Sequence, residues 1–203
     1  MTPKIVRLIR HASTPATAGK RFVGRTDMSL SDKGRAEARR LGRVFSASRA
    51  NIWSSPMKRC LETAGLAGAG TRRIKVYEDL REIDFGLWEG LTFEQISKID
   101  PKKSRFWLSD FSRFQFPGGE KMRKFDGRTA RMARKIRSHP QDQLYVLAHG
   151  GVIRGLLRHL LELPANAQFR FEIDPASVTE LRLSRWGGSL TALNDKSHLR
   201  RGK

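Results

Sequence analysis

Residues 4–14, KIVRLIRHAST, constrain this chain more than any other stretch. Ile5, Val6, Leu8 and Ile9 form a short, largely β-branched apolar run that reads as a buried strand, and the run stops at Arg10-His11 followed by small residues. Ligands of open α/β sheets bind beyond the carboxyl ends of the strands, so this strand hands a guanidinium and an imidazole to the binding edge. The punctuation returns in QLYVLAHGGVIRGLLRHL, where Leu144 to Ala148 run into His149 and then Gly150-Gly151 ahead of a helix. Two strand-end histidines, one near each end of the chain, predict a single site built from both halves.

Between them the pattern alternates. Further strands are expected at Ala50–Trp53 and Ile74–Tyr77. Helices are expected from a Ser31 or Asp32 cap to Phe45, from Pro56 through Arg59, Cys60 and Thr63, over Lys121–Arg137, and over Val152–Leu163. Phe169–Ile173 and Ser177–Leu183 read as antiparallel edge strands, Leu190–Leu193 as a last strand, and the basic tail Lys196–Lys203 as frayed. The stretch from Leu91 to Gly119 holds aromatics, two prolines and short helical patterns at Thr92–Ile99 and Phe106–Phe114, and reads as a lid. Strands alternating with helices imply a mostly parallel sheet covered on both faces. Crossovers between parallel strands bring successive strand ends to one edge, where Arg10, His11, Ser54, Ser55, Glu82 and His149 would converge.

A length of 203 residues suits one domain with a substantial core. The single cysteine, Cys60, excludes a disulfide framework or thiolate metal cluster within the chain. No apolar run is long enough to span a bilayer and no signal-peptide pattern follows Met1, which points to a cytoplasmic protein. The net charge of +20, from 40 Lys+Arg against 20 Asp+Glu, raises a nucleic-acid reading. The charges form no single block, however, and the densest stretch, Lys121–Arg137, carries Phe125, Met132 and Ile136 at helical spacing, so a solvated basic helix face is favoured over a nucleic-acid surface. No pattern specifies an oligomeric state.

The strand-end residues suit phosphoryl transfer. A phosphate ester needs positive charge around its oxygens, an in-line nucleophile and an acid for the leaving oxygen. Arg10 and Arg59 can each give planar contacts to phosphoryl oxygens, and with His149 they supply the charge that other phosphotransferases take from a metal. Neutral His11 can attack phosphorus through one ring nitrogen while a backbone carbonyl holds the other, giving a phosphohistidine. Glu82, held protonated in a partly apolar setting, can supply the leaving group's proton and then deprotonate water. Taken singly each residue has a blander reading, such as a surface ion pair for Glu82 or Arg59, and His139, His159 and His198 are assigned structural or surface roles. No metal and no cofactor is called for, since His11 and His149 lack a local partner at ligand spacing.

In order, LIRHAST, GRTDMSLSDKGRAEA, SSPMKRCLETA, LREIDFGLWEG and AHGGVIR resemble the histidine phosphatase superfamily, the phosphoglycerate mutase-like proteins, over about residues 4–155. The resemblance implies a three-layer α/β/α fold with a mostly parallel central sheet, as one domain over 1–203 with a lid-like excursion at about 87–120. It implies His11 as phospho-accepting nucleophile, Glu82 as acid/base, and Arg10, Arg59 and His149 as the phosphoryl clamp, with Ser13, Thr17 and Gly150 as secondary candidates. Ala12 stands where the family usually has glycine, while Ser13 and Thr17 replace an acidic residue and an asparagine common in many members. The wording of LREIDFGLWEGLTFEQI, FQFPGGE and ALNDKSHL is most similar to alpha-ribazole phosphatases, though Lys121 stands where a serine usually follows PGGE. The implied substrate is a small anionic phosphate ester, alpha-ribazole 5'-phosphate first. The alternatives are a broad-specificity phosphatase, a phosphoglycerate mutase-like enzyme, and a basic polyanion-binding protein with a vestigial pocket.

Overall fold

The computed structural model describes residues 3–45, 50–69 and 74–200. Six strands form one sheet: β1 (Lys4–Arg10), β2 (Asn51–Ser54), β3 (Ile74–Val76), β4 (Gln143–Ala148), β5 (Val178–Ser184) and β6 (Gly187–Asp195), in the order β3-β2-β4-β1-β5-β6. The first four run parallel, and β5 and β6 add antiparallel at the β1 side. β1, β2 and β4 bury side chains on both faces, as helices on both sides require.

Side-chain alternation along the strands sorts the core into two layers. Val6, Leu8, Leu144, Val146 and Ala148 pack with α7 (Met122–Ser138) and α8 (Gly150–Leu160). Ile9, Ile52, Tyr145 and Leu147 face the opposite way, toward α2 (Asp32–Arg40), the short α3 (Gly42–Phe45) and α4 (Lys58–Leu66). The result is the expected three-layer α/β/α arrangement. Ser31 caps α2 by accepting the Gly34 N–H at 3.1 Å. One short helix, α1 (Pro15–Ala18), follows the first strand end, where the sequence suggested only a loop.

The stretch after residue 86 folds as α5 (Phe93–Ile99), capped by Thr92, and α6 (Pro101–Ser109), which starts five residues earlier than the aromatic pattern suggested because Asp100 caps it and Pro101 fills its first position. Most of its aromatics turn inward, Phe106 excepted. Trp88, Phe114 and Phe116 are buried in the core, and Trp107 packs against Phe22 and Phe93.

Three expectations need correction. Phe169–Ile173 is not a strand: Ala165–Arg170 winds into a 3-10 segment, and the carbonyls of Phe171 and Ile173 accept the Arg154 and Arg10 side chains instead of a ladder partner. β5 is not an edge strand, because β6 covers it. The tail is held rather than frayed up to residue 200, with Ser197–Leu199 in a 3-10 turn, His198 buried, and the Leu199 carbonyl accepting Arg40 Nη1 at 2.9 Å. Residues 201–203 lie outside the described residues.

Close backbone packing fixes where α2 meets the chain after His11. A β-carbon on Gly34 would sit 1.9 Å from the Ser13 carbonyl oxygen, so only glycine fits. Gly34→Ala is expected to cost about 1–3 kcal/mol, read in thermal unfolding as a Tm lower by roughly 3–10 °C.

Candidate active site

The site lies where β1, β2 and β4 end. Arg10 is opposite Ala148 in the β1/β4 register, so the next residues, His11 and His149, emerge side by side with ring centroids 5.2 Å apart. The His11 backbone N–H donates to the Ala148 carbonyl at 3.0 Å and locks that step. His11 Nδ1 lies 2.8 Å from the Ala12 carbonyl, which only accepts, so Nδ1 carries the proton and Nε2 keeps the lone pair.

His149 has the opposite tautomer. Arg59 Nε donates to its Nδ1 at 3.2 Å, so the proton is on Nε2, which donates to Ser55 Oγ at 2.8 Å. Both ring nitrogens are thus partnered, and any phosphoryl contact from His149 would replace one of these bonds. Cys60 packs beside the ring with Sγ 3.6 Å from Nε2. Burial pushes its thiol up to about 12 despite nearby Arg59, so it stays neutral.

Arg59 is 1% exposed and, among the described residues, its hydrogen-bond partners are His149 and backbone carbonyls rather than a carboxylate. Its Nη1 donates to the Thr26 carbonyl at 2.9 Å and its Nη2 to the Gly24 carbonyl at 3.0 Å. The loop supplying them is pinned by Glu89, whose Oε1 accepts the Gly24 and Arg25 N–H groups at 2.8 Å each. Arg10 donates from Nη1 to the Ile173 carbonyl at 2.6 Å, while its buried Nε has no partner. Burial lowers the Arg10 pKa from its ordinary value and Glu82 opposes the shift, as expected for a desolvated cation that lacks an anion.

Glu82 comes from the loop after a 3-10 turn at Glu78–Leu80. Its Oε2 accepts the Gly151 N–H at 3.0 Å and its Oε1 the Ile83 N–H at 3.1 Å. The carboxyl group therefore sits at the amino end of α8. A β-carbon at Gly151 would lie 2.6 Å from Glu82 Oε1 and would push the end of that side chain aside. Gly150 packs against the Arg10 guanidinium. The amino end of α4 is likewise taken, by Asp27 accepting the Lys58 N–H at 2.7 Å.

The sequence-predicted set of Arg10, His11, Arg59, Glu82 and His149 thus converges at this edge. Ser13 and Thr17 are placed otherwise. Thr17 Oγ1 accepts the Thr14 N–H and donates to the Thr14 carbonyl, and the Ser13 N–H is held by Glu37 Oε2 at 2.9 Å. Both line a neighbouring cavity of about 870 Å³, with Glu37, Arg40 and Asp174, whose wall includes neither His11 nor Arg10. Residues that sequence reasoning passed over include Arg128, Glu120 and Arg154. Arg128 was legible in principle, as a cation on the buried stripe of Phe125, Thr129, Met132 and Ile136.

A sequence model of the histidine phosphatase superfamily (branch 1) matches residues 6–196. The chain belongs to this superfamily. Phosphoserine phosphatase 1 of Hydrogenobacter thermophilus is 28% identical over 95% of this chain and 92% of its own length. A solved mutant phosphoserine phosphatase of Entamoeba histolytica, in complex with phosphoserine, superposes with a TM-score of 0.86 at 25% identity, over 97% of this chain and all of that one. Alpha-ribazole phosphatase of Shigella flexneri shares the fold with a TM-score of 0.83 at 24% identity, covering 94% of this chain and 96% of that one.

In this histidine phosphatase-superfamily chain, burial drives the His11 pKa well below its ordinary value, with Arg10 and Arg59 adding to the shift. Burial does the same to His149, followed by Arg59 and His11. Both rings are neutral in the folded state at neutral pH. Below about pH 6.5 the unfolded chain takes up protons that the folded chain refuses, so stability falls as pH falls, by up to about 1.4 kcal/mol per pH unit for each histidine. Urea unfolding between pH 7.5 and 5 should show this slope, and His11→Ala should remove about half of the contribution of the pair.

Proposed function

We propose that the chain is a metal-independent phosphomonoester hydrolase that works through a phosphohistidine on His11. The observation that carries this reading is the buried, unpartnered Arg10 Nε–H beside a histidine whose Nδ1 is tied to a backbone carbonyl. An unsatisfied cationic donor next to an imidazole lone pair is the complement of a phosphoryl oxygen and its phosphorus.

Arg10 and Arg59 hold the phosphoryl oxygens, and His149, through its bond to Arg59 Nε, keeps that guanidinium in place and borders the pocket. The His11 Nε2 lone pair attacks phosphorus as the P–O ester bond breaks, and Glu82 gives its proton to the departing oxygen. Glu82 then takes a proton from water as the water oxygen attacks phosphorus, and the P–N bond electrons return to Nε2. The products are an alcohol and inorganic phosphate. The same reading takes 1–203 as one domain, with residues 87–120 as a cover for the leaving group; the packing of Phe22, Phe85 and Trp88 against Trp107 and Phe116 supports it.

Alpha-ribazole 5'-phosphate is the first substrate of this reading, on the wording of the motifs around Glu82 and Glu120. A second, phosphoserine, is favoured by the near full-length Hydrogenobacter relative. Trp88, Phe114 and Phe116 are sealed in the core and offer no face to a base, whereas Phe106, at 45% exposure, and Phe169, at 54%, are accessible. Phosphate release measured with EDTA present is expected for one of these esters in clear preference to 3-phosphoglycerate and nucleoside monophosphates. His11→Ala should lower it by about a thousandfold or more, and Arg10→Ala by about a hundredfold. Full activity in His11→Ala would overturn the phosphohistidine, and activity lost to EDTA would overturn metal independence.

A further inference from the structure

We propose that Arg128, on the buried side of α7, is a positioning residue that holds the Glu82 backbone where its carboxyl can reach the leaving oxygen. The inference rests on the acid/base role given to Glu82 above. Residues 77–86 cross the mouth of the sheet with only the single 3-10 turn at Glu78–Leu80, so most of their carbonyls have no ladder partner. Arg128 supplies the missing donors. Its Nη1 donates to the Asp79 carbonyl at 2.8 Å and to the Arg81 carbonyl, and its Nη2 to the Glu82 carbonyl at 3.0 Å.

The fork is itself fixed. Arg128 Nε donates to Glu120 Oε1 at 2.9 Å and Nη2 to Glu120 Oε2 at 3.0 Å, so all five guanidinium N–H groups are used. The residue is 7% exposed and its guanidinium lies 4.6 Å from the centre of the Phe125 ring. Glu120 reaches the same loop from its other side, donating its N–H to the Asp84 carbonyl at 2.8 Å and accepting the Asp84 N–H at 3.4 Å. The pair therefore grips residues 82 and 84 while neither charge touches the Glu82 carboxylate, which is left to Gly151 and Ile83. One helical turn on, Arg131 pairs with Asp79 at 2.9 Å and steadies the start of the segment. Lysine cannot replace Arg128, because its donors radiate from one atom and cannot bridge three carbonyls and a carboxylate.

A misplaced acid and a merely weakened fold are told apart by the leaving group. An aryl ester such as 4-nitrophenyl phosphate departs without a proton, whereas an alkyl ester such as glycerol 2-phosphate needs one. Wild type, Glu82→Gln, Arg128→Lys and Glu120→Gln would be compared on both esters by kcat/KM, which ends at phosphorylation of His11 and so leaves out the base role of Glu82 in the shared second step, with thermal unfolding of each. Arg128→Lys is expected to lose about 10- to 100-fold on the alkyl ester and no more than about threefold on the aryl ester, in the direction of Glu82→Gln. Glu120→Gln should show the same selectivity, and it carries the test alone if Arg128→Lys fails to fold. Equal losses on both esters in the Arg128 and Glu120 variants, beside a selective loss in Glu82→Gln, would overturn this inference only. Equal losses in Glu82→Gln itself would overturn the acid role and the inference with it.

Discussion

β1 and β4 pair in parallel with Arg10 opposite Ala148, and the geometry of the site follows from that register. Because side chains alternate along a strand, a slip of one residue would carry Val6 and Leu8 out of the layer under α7 and α8 and move His11 away from His149. The apolar pattern that packs the core and the spacing that brings two histidines together are therefore one constraint. β5 closes the other flank through its lead-in: the Arg10 N–H donates to the Ser177 carbonyl at 3.2 Å and the Ala176 N–H to the His11 carbonyl at 3.1 Å.

With the backbone so fixed, the buried arginines divide by what neutralises them. Arg10 and Arg59 face carbonyl oxygens, which satisfy N–H groups without cancelling charge. Arg128 faces Glu120, which cancels it. A carboxylate on Arg10 or Arg59 would compete with the incoming dianion, and removing water from an unpaired cation is costly, so carbonyl solvation is the intermediate solution. The acid/base group that the chemistry needs, Glu82, is turned instead to backbone N–H groups at the start of α8. Burial, with the same positive field adding to it, holds both histidines neutral, which suits a nucleophile that must present a lone pair.

Four of the five polar residues at the sheet edge follow a local signal that needs no tertiary knowledge: a β-branched run ending in Arg-His, an apolar run ending in His-Gly-Gly, and a Ser-Ser-Pro leading into Arg59; Glu82 was legible only through the family resemblance of LREIDFG. Boundaries were less so. Phe169–Ile173 alternates like a strand, yet its carbonyls are used by Arg10 and Arg154 from other elements, and nothing within the segment announces that demand. Ser13 and Thr17 occupy positions that suggest phosphate contacts, but Thr17 Oγ1 is bonded to the Thr14 backbone and both residues line a cavity whose wall includes neither His11 nor Arg10. These outcomes depend on distant partners, and a single sequence shows only one side of each.

The excess of cations acquires a physical division from α7, whose charges looked uniform along the sequence. Arg123, Lys124, Arg134 and Lys135 stand exposed, Arg131 pairs with Asp79 at the surface, and Arg128 points inward on the apolar stripe. Exposed charges act over about a Debye length, roughly 8–10 Å at ordinary ionic strength, and draw in a dianion from solution without choosing its orientation. Arg10 and Arg59 act at contact in a desolvated setting, where salt screens little and planar forks impose geometry. Arg128 does neither, since its charge is spent on Glu120 and its donors on the loop that carries Glu82. One side-chain type thus attracts, grips and positions, and what separates the three uses is what meets its charge: water, carbonyls alone, or a carboxylate that cancels it.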